Sequence, residues 1–185
     1  MAGQRRARWH FGVAAAVLVC GLAAAAYLLA HEAGMDRLAG QLRDRLTLSQ
    51  RAVESEIERF AYLPQVLGED NRVLDLLTRP SAVRLERVNA YLANVARHAQ
   101  ADAVYLIDRN GLTLAASNWD LPSSFVGHNY GFRPYFTDAL ELGRGAYYAV
   151  GVTTGVPGYF LSSRIDGPEG PLGVAVVKVD MSPLE

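Results

Sequence analysis

Residues 103–116 read AVYLIDRNGLTLAA, and this stretch decides the fold. Ala103 to Ile107 is a short apolar run with strand character. Asp108-Arg109-Asn110-Gly111 is a turn of the Asn-Gly type, and Leu112 to Ala116 is its hairpin partner. Asp108 is turn chemistry, an aspartate bonding nearby backbone, and not a catalytic acid. Downstream, Gly145 to Gly151, Gly158 to Ile165 and Leu172 to Val179 read as three more strands, with Asp166-Gly167-Pro168-Glu169-Gly170 joining the last two. Between hairpin and strands, Ser117 to Asn129 is a polar, Pro-containing loop. Arg133 to Leu142 is a short helix with Pro134 in its first turn.

Upstream the pattern is helical. From Met35 to about Tyr62, Leu38, Leu42, Leu46, Val53, Ile57 and Phe60 recur at spacings of three, four or seven. Pro64 breaks this helix or starts the next. A second helix is predicted over Gln65 to Leu77. A third runs from Ser81, as N-cap, to about Gln100, with Val83, Leu85, Val88, Tyr91, Leu92, Val95 and Ala96 near its buried face. The expected class is therefore α+β: helices first, then a five-stranded, mostly antiparallel sheet flanked by helices.

Further upstream, Phe11 to Ala30 carries no charge. At 1.5 Å per residue it crosses a bilayer core of roughly 30 Å. Arg5, Arg6 and Arg8 precede it, which predicts a cytoplasmic start and an extracytoplasmic remainder. A cleaved signal peptide is the rival reading, with Ala23 to Ala26 as a cleavage site. The apolar run exceeds the roughly 7–15 residues of a signal core, which favours a retained anchor. The expected organisation is a basic cytoplasmic segment at 1–10, a membrane helix at 11–30, a long helix at 31–62 for signalling and for pairing with a second copy, and a sensor domain at 63–185.

Composition narrows the function. The chain has 185 residues, half of them hydrophobic, and a net charge of −1, which argues against broad capture of nucleic acid. Cys20 is the single cysteine, so there is no internal disulfide and no thiolate cluster; it reads as a small apolar filler of the span. His10, His31, His98 and His128 show no metal-ligand spacing. Ser123, Ser124 and His128 lack a nucleophile-elbow context. No catalytic residue, metal or cofactor is expected.

The chemistry concentrates in residues 117–160. Arg133 sits among Tyr130, Phe132, Tyr135 and Phe136, and a small-residue loop, Gly151 to Gly158, follows about twenty residues later. A guanidinium kept partly dry by aromatics suits a small carboxylate, which it grips with two parallel hydrogen bonds. A cation at a helix start opposes the helix dipole, so its placement asks for a reason. Tyr130 is placed to donate its hydroxyl to the same carboxylate, or else is core. On the residues alone, Thr153, Thr154 and Gly155 form a plain turn. Lys178 is the only lysine. Strand alternation puts it on one face with Val174 and Val176. It either snorkels to solvent or points into a pocket.

Taken together, a membrane helix, a long helix and a sheet of two plus three strands resemble the extracytoplasmic PDC (Cache) sensor fold. Ala116-Ser117-Asn118-Trp119, Ser123-Ser124-Phe125-Val126-Gly127, Asn129-Tyr130, Phe132-Arg133-Pro134-Tyr135-Phe136, Val152-Thr153-Thr154-Gly155 and Pro157-Gly158-Tyr159 resemble the membrane-distal sensor module of the DctB family of C4-dicarboxylate sensor histidine kinases. The resemblance implies a periplasmic module anchored in the bacterial inner membrane. Its ligand would be succinate, fumarate or malate, held by Tyr130, Arg133, Thr153, Thr154, Gly155, Tyr159 and Lys178. Which of the two threonines faces the ligand stays open. A member of that family continues beyond Glu185 into a second sensor module, a second span, a phosphoacceptor helix and an ATP-binding domain. The expectation is thus a non-catalytic sensor fragment of a histidine kinase, whose response regulator is reached only through those domains. The alternatives are the sensor region of a chemoreceptor or cyclic-dinucleotide enzyme with another small carboxylate, and a ligand-free dimerisation module.

Overall fold

The computed structural model describes Ser55 and residues 57–180. The expected cytoplasmic segment, membrane span and most of the long helix lie outside the described residues. Among those described, no helix is long and apolar enough to cross a membrane. Residues 57–61 are helical and bring Phe60 into the core. All described residues from 57 onward belong to one compact unit, Val53–Glu185.

Helix α1 (Leu63–Gly68) carries Pro64 in its first turn. It is separate from α2 (Asn71–Thr78), whereas the sequence reading ran one helix from Gln65 to Leu77. The break has a local cause. Asp70 adopts an extended backbone, and its carboxylate accepts the Arg72 N–H at 2.8 Å, capping a new helix. Gly68 packs against Ile165, where an added Cβ would lie 3.2 Å from the isoleucine side chain. Helix α3 (Ala82–Ala99) is capped by Ser81 as expected and ends at Gln100 in the left-handed region. Val88, Leu92 and Ala96 are buried, but Val83 is exposed. Val83 lies in the first turn, two residues after the Ser81 cap.

Strands β1 (Ala103–Asp108), β2 (Thr113–Ala116), β3 (Arg144–Val150), β4 (Pro157–Gly167) and β5 (Gly170–Asp180) form one sheet in the order β2-β1-β5-β4-β3. Every neighbouring pair is antiparallel. Asp108 holds the first turn, accepting the N–H groups of Asn110 and Leu112 at 2.9 Å each. The β4–β5 hairpin is tighter than predicted, since Gly167 pairs with Gly170. Helix α4 (Pro134–Leu142) lies between β2 and β3 in the chain.

Strand alternation divides the interior in two. Val104, Leu106, Ala175, Val177 and Val179 pack with Leu67, Leu76 and Leu92 from the helices. Their neighbours Tyr105, Ile107, Val174 and Val176 face the other way, toward Phe125, Tyr130, Tyr135 and Phe136. That second face is closed by α4 and the long loop, and it holds the buried polar residues Thr113, Ser162 and Lys178. Helix α4 approaches closely because Gly145 has no side chain; a Cβ there would stand 2.5 Å from the Tyr135 carbonyl. Ser162 Oγ donates to that same carbonyl at 2.7 Å.

Candidate functional site

The aromatic floor forms first. Tyr105 from β1, Phe125 from the loop, Tyr135 from α4 and Phe160 from β4 line one small cavity. Tyr135 stacks on Phe160 with ring centres 5.0 Å apart and planes 7° from parallel. The Tyr105 hydroxyl donates to the Tyr135 hydroxyl at 2.9 Å. Burial pushes the Tyr105 phenol well above its usual range and that of Tyr135 up to about 12. Tyr130 is also raised by burial, against the opposing pull of its Thr153 hydrogen bond and the Arg133 charge. All three are therefore neutral phenols at physiological pH, and each keeps its proton to donate.

The polar groups reach this floor from three elements. Arg133 stands just before α4 with extended backbone, as its N-cap. Its Nη2 donates to the Val150 carbonyl at 3.1 Å, tying the helix start to the end of β3. The Tyr130 hydroxyl and Thr153 Oγ1 are 2.5 Å apart. Lys178, on β5, is 1% exposed. Its Nζ donates to Asp102 Oδ2 at 2.5 Å and to Thr154 Oγ1 at 3.3 Å. Gly158 makes room for the lysine stem, since a Cβ there would lie 2.8 Å from Lys178 Cε. Lys178 therefore points inward and does not snorkel.

The structure separates the two threonines. Thr153 lines the cavity and meets Tyr130; Thr154 turns to Lys178. Gly155 takes φ +70°, and its N–H goes to the Gly151 carbonyl at 2.7 Å, closing the loop on itself. It is exposed and does not line the cavity. Tyr159 also departs from expectation: it packs against the helix-side core, on the far face of the sheet. Its neighbour Phe160 holds the inward position instead. Strand period 2 makes the two mutually exclusive. Tyr105, Phe125 and Asp102 were missed in the sequence. The first two read there as ordinary core and loop residues. Asp102 becomes visible only through register, because Ala103 pairs with Lys178.

The cavity is closed down. About 10 Å³ is open inside it, room for about one water. A groove of about 550 Å³ lies elsewhere, between α1 and the Arg144–Arg164 end of the sheet. That groove is shallow, and Arg164 in it is already paired with Asp166 at 2.9 Å. The small cavity, with its two cations and three phenols, is the better candidate for recognising an anion. Its donors can bind and orient a carboxylate.

No family model matches the chain. The chain is 41% identical over 184 residues to the C4-dicarboxylate transport sensor protein DctB of Rhizobium meliloti, covering 97% of this chain and 30% of that relative. It is 32% identical over 179 residues to the protein of the same name from Pseudomonas aeruginosa, covering 96% of this chain and 29% of that one. The chain thus spans about a third of the length of these curated relatives. Among solved structures, the sensor domain of the V. cholerae histidine kinase DctB superposes with a TM-score of 0.77 at 32% identity, over 80% of this chain and 58% of that one.

Proposed function

Since the chain is a DctB-like sensor module of PDC (Cache) fold, we propose that its aromatic cavity binds a C4-dicarboxylate dianion in the periplasm and reports it across the inner membrane to a histidine kinase. One observation carries this reading: Arg133 and Lys178 line the same small cavity, with Tyr130 and Thr153 between aromatic walls. Arg133 takes one carboxylate through its fork. Lys178 meets the second. Tyr130 and Thr153, bonded to each other without ligand, turn their hydroxyls to it.

A four-carbon diacid is far larger than the present cavity, so binding opens it. The contacts that must yield are Arg133 to the Val150 carbonyl and Tyr130 to Thr153, and both end at β3 or the loop after it. Ligand entry thus displaces residues 151–156 relative to α4. In the proposed organisation, residues 1–10 are cytoplasmic, 11–30 span the membrane, 31–62 carry the signal and pair two copies, and 63–185 sense. A response regulator is reached through kinase domains of the longer protein.

Calorimetry on the full chain in detergent tests the site. Succinate, fumarate or malate should bind, and Arg133→Ala should weaken binding on the order of 10- to 100-fold or more, since a hydrogen bond to a charged group contributes roughly 1.5–3 kcal/mol. Arg133→Lys should rescue only in part, because an ammonium lacks the fork. An unchanged dissociation constant in folded Arg133→Ala refutes the assignment.

A further inference from the structure

The two cations of the cavity are not equivalent. Among the described residues Arg133 bonds a carbonyl, and no carboxylate forms a salt bridge with it. Lys178 already has a carboxylate, Asp102, at 2.5 Å. We infer that Asp102 is a built-in competitor for the ligand's second carboxylate, and that it sets both the affinity and the charge selectivity of the cavity. This rests on the dicarboxylate reading above.

Asp102 lies in the connection from α3 to β1. Its backbone N–H donates to the Lys178 carbonyl at 2.9 Å, while its side chain accepts from the Lys178 ammonium. The aspartate therefore grips one residue at both ends and cannot swing far from it. Its side chain is 37% exposed, against 1% for the lysine, so it reaches the ammonium from the solvent side. An ammonium has three donors. Asp102 and Thr154 take two of them, leaving one toward the cavity.

The electrostatics follow. With Lys178 neutralised by Asp102, a dianion entering the cavity finds one uncompensated cation, Arg133. Its first carboxylate pairs there freely. Its second must share the Lys178 ammonium with Asp102, and two carboxylates on one cation repel each other. Asp102 therefore holds dicarboxylate affinity below what Arg133 and Lys178 alone would give. A monocarboxylate pairs with Arg133 and does not meet this repulsion. In the ligand-free protein the same aspartate keeps the buried lysine from standing unpaired, which would be strongly destabilising. The resting fold is stabilised by the group that opposes the ligand.

Asp102→Asn keeps size and an acceptor for Lys178 but removes the charge. Measured on the full chain by calorimetry, succinate should bind roughly tenfold more tightly than to wild type, while acetate changes less than about threefold. The melting temperature of the ligand-free variant should fall, and the upward shift on saturating succinate should grow. Asp102→Ser, smaller and neutral, should repeat the direction, which guards against a folding fault peculiar to asparagine. Weaker or unchanged succinate binding in a folded variant overturns the inference and makes Asp102 a positioning residue for Lys178. So does a parallel gain for acetate, which would signal a general field effect. If wild type itself binds no C4-dicarboxylate, the cavity reading fails first and the competitor role falls with it.

Discussion

Leu106 and Tyr105 are chain neighbours on β1, yet they sit in two different interiors. Leu106 joins a layer dominated by apolar side chains, between the sheet and the helices, with Asn89 buried on α3, where its Oδ1 accepts the Ala116 N–H at 3.0 Å. Tyr105 joins the opposite layer, where phenols, a lysine and a serine hydroxyl share space with Phe125 and Phe160. One face is a packed core whose contribution is stability. The other has given up part of that packing for donors that a ligand can use. A single sheet supports both because successive side chains point to opposite faces.

The division predicts that damage to the two faces separates. Leu106→Ala should lower unfolding free energy by roughly 3–5 kcal/mol, from lost burial and the cavity left behind. The protein that remains folded should bind succinate as wild type does. Chemical denaturation with calorimetry in parallel measures both. A loss of affinity well beyond the unfolded fraction would mean that the helix-side core transmits strain into the cavity, and the two faces would not be independent.

A second test uses alkali. Tyr135 titrates near 10 when unfolded and at about 12 in the folded protein. Between those values the unfolded state releases its proton first, so stability falls as pH rises. Below pH 10 the contribution is complete. The two-unit gap corresponds to at most about 3 kcal/mol, lost progressively from pH 10 to 12. Tyr135→Phe should flatten part of that decline, at the expense of some stability at pH 7, where Tyr105 loses its acceptor. Urea denaturation midpoints across that range decide the matter. An equal alkaline decline in wild type and variant would show that Tyr135 is not the titrating group.

How much of this was legible depends on whether a residue's neighbours are close in sequence. The β1–β2 hairpin was readable because Asn110-Gly111 and Asp108 carry their own turn chemistry. Ser81 was readable as a cap for the same reason. Lys178 could be placed on the Val174–Val176 face by counting, and Gly158 beside it explains how the stem passes. The split between α1 and α2 was missed because apolar periodicity continues across Asp70, and only the side-chain cap on Arg72 interrupts it. Tyr159 was misplaced by one position, since the start of β4 sets which of Tyr159 and Phe160 faces inward. Asp102 was invisible because its partner is 76 residues away, and the pairing exists only through the β1–β5 register.

The smallest predicted effect sharpens the contrast most. Thr113 of β2 is 1% exposed and pairs with Ile107, whose side chain belongs to the polar face. Its Oγ1 is buried without a hydrogen-bond partner among the described residues. If that face keeps polar groups for ligand binding, a hydroxyl that neither bonds nor lines the cavity contributes only a desolvation cost. Valine has nearly the same shape and none of the polarity. Leaving a buried polar group unsatisfied costs about 1–3 kcal/mol, and a same-shape apolar replacement recovers part of it. Thr113→Val should therefore raise stability by about 0.5–1 kcal/mol and leave succinate affinity unchanged. Its backbone bonds to His128 and Gly127 do not depend on the side chain and should hold the loop in place. A destabilisation of about 1 kcal/mol or more would show that the hydroxyl is satisfied after all, by a buried water that belongs to the polar face. That face would then extend beyond the cavity to the start of β2.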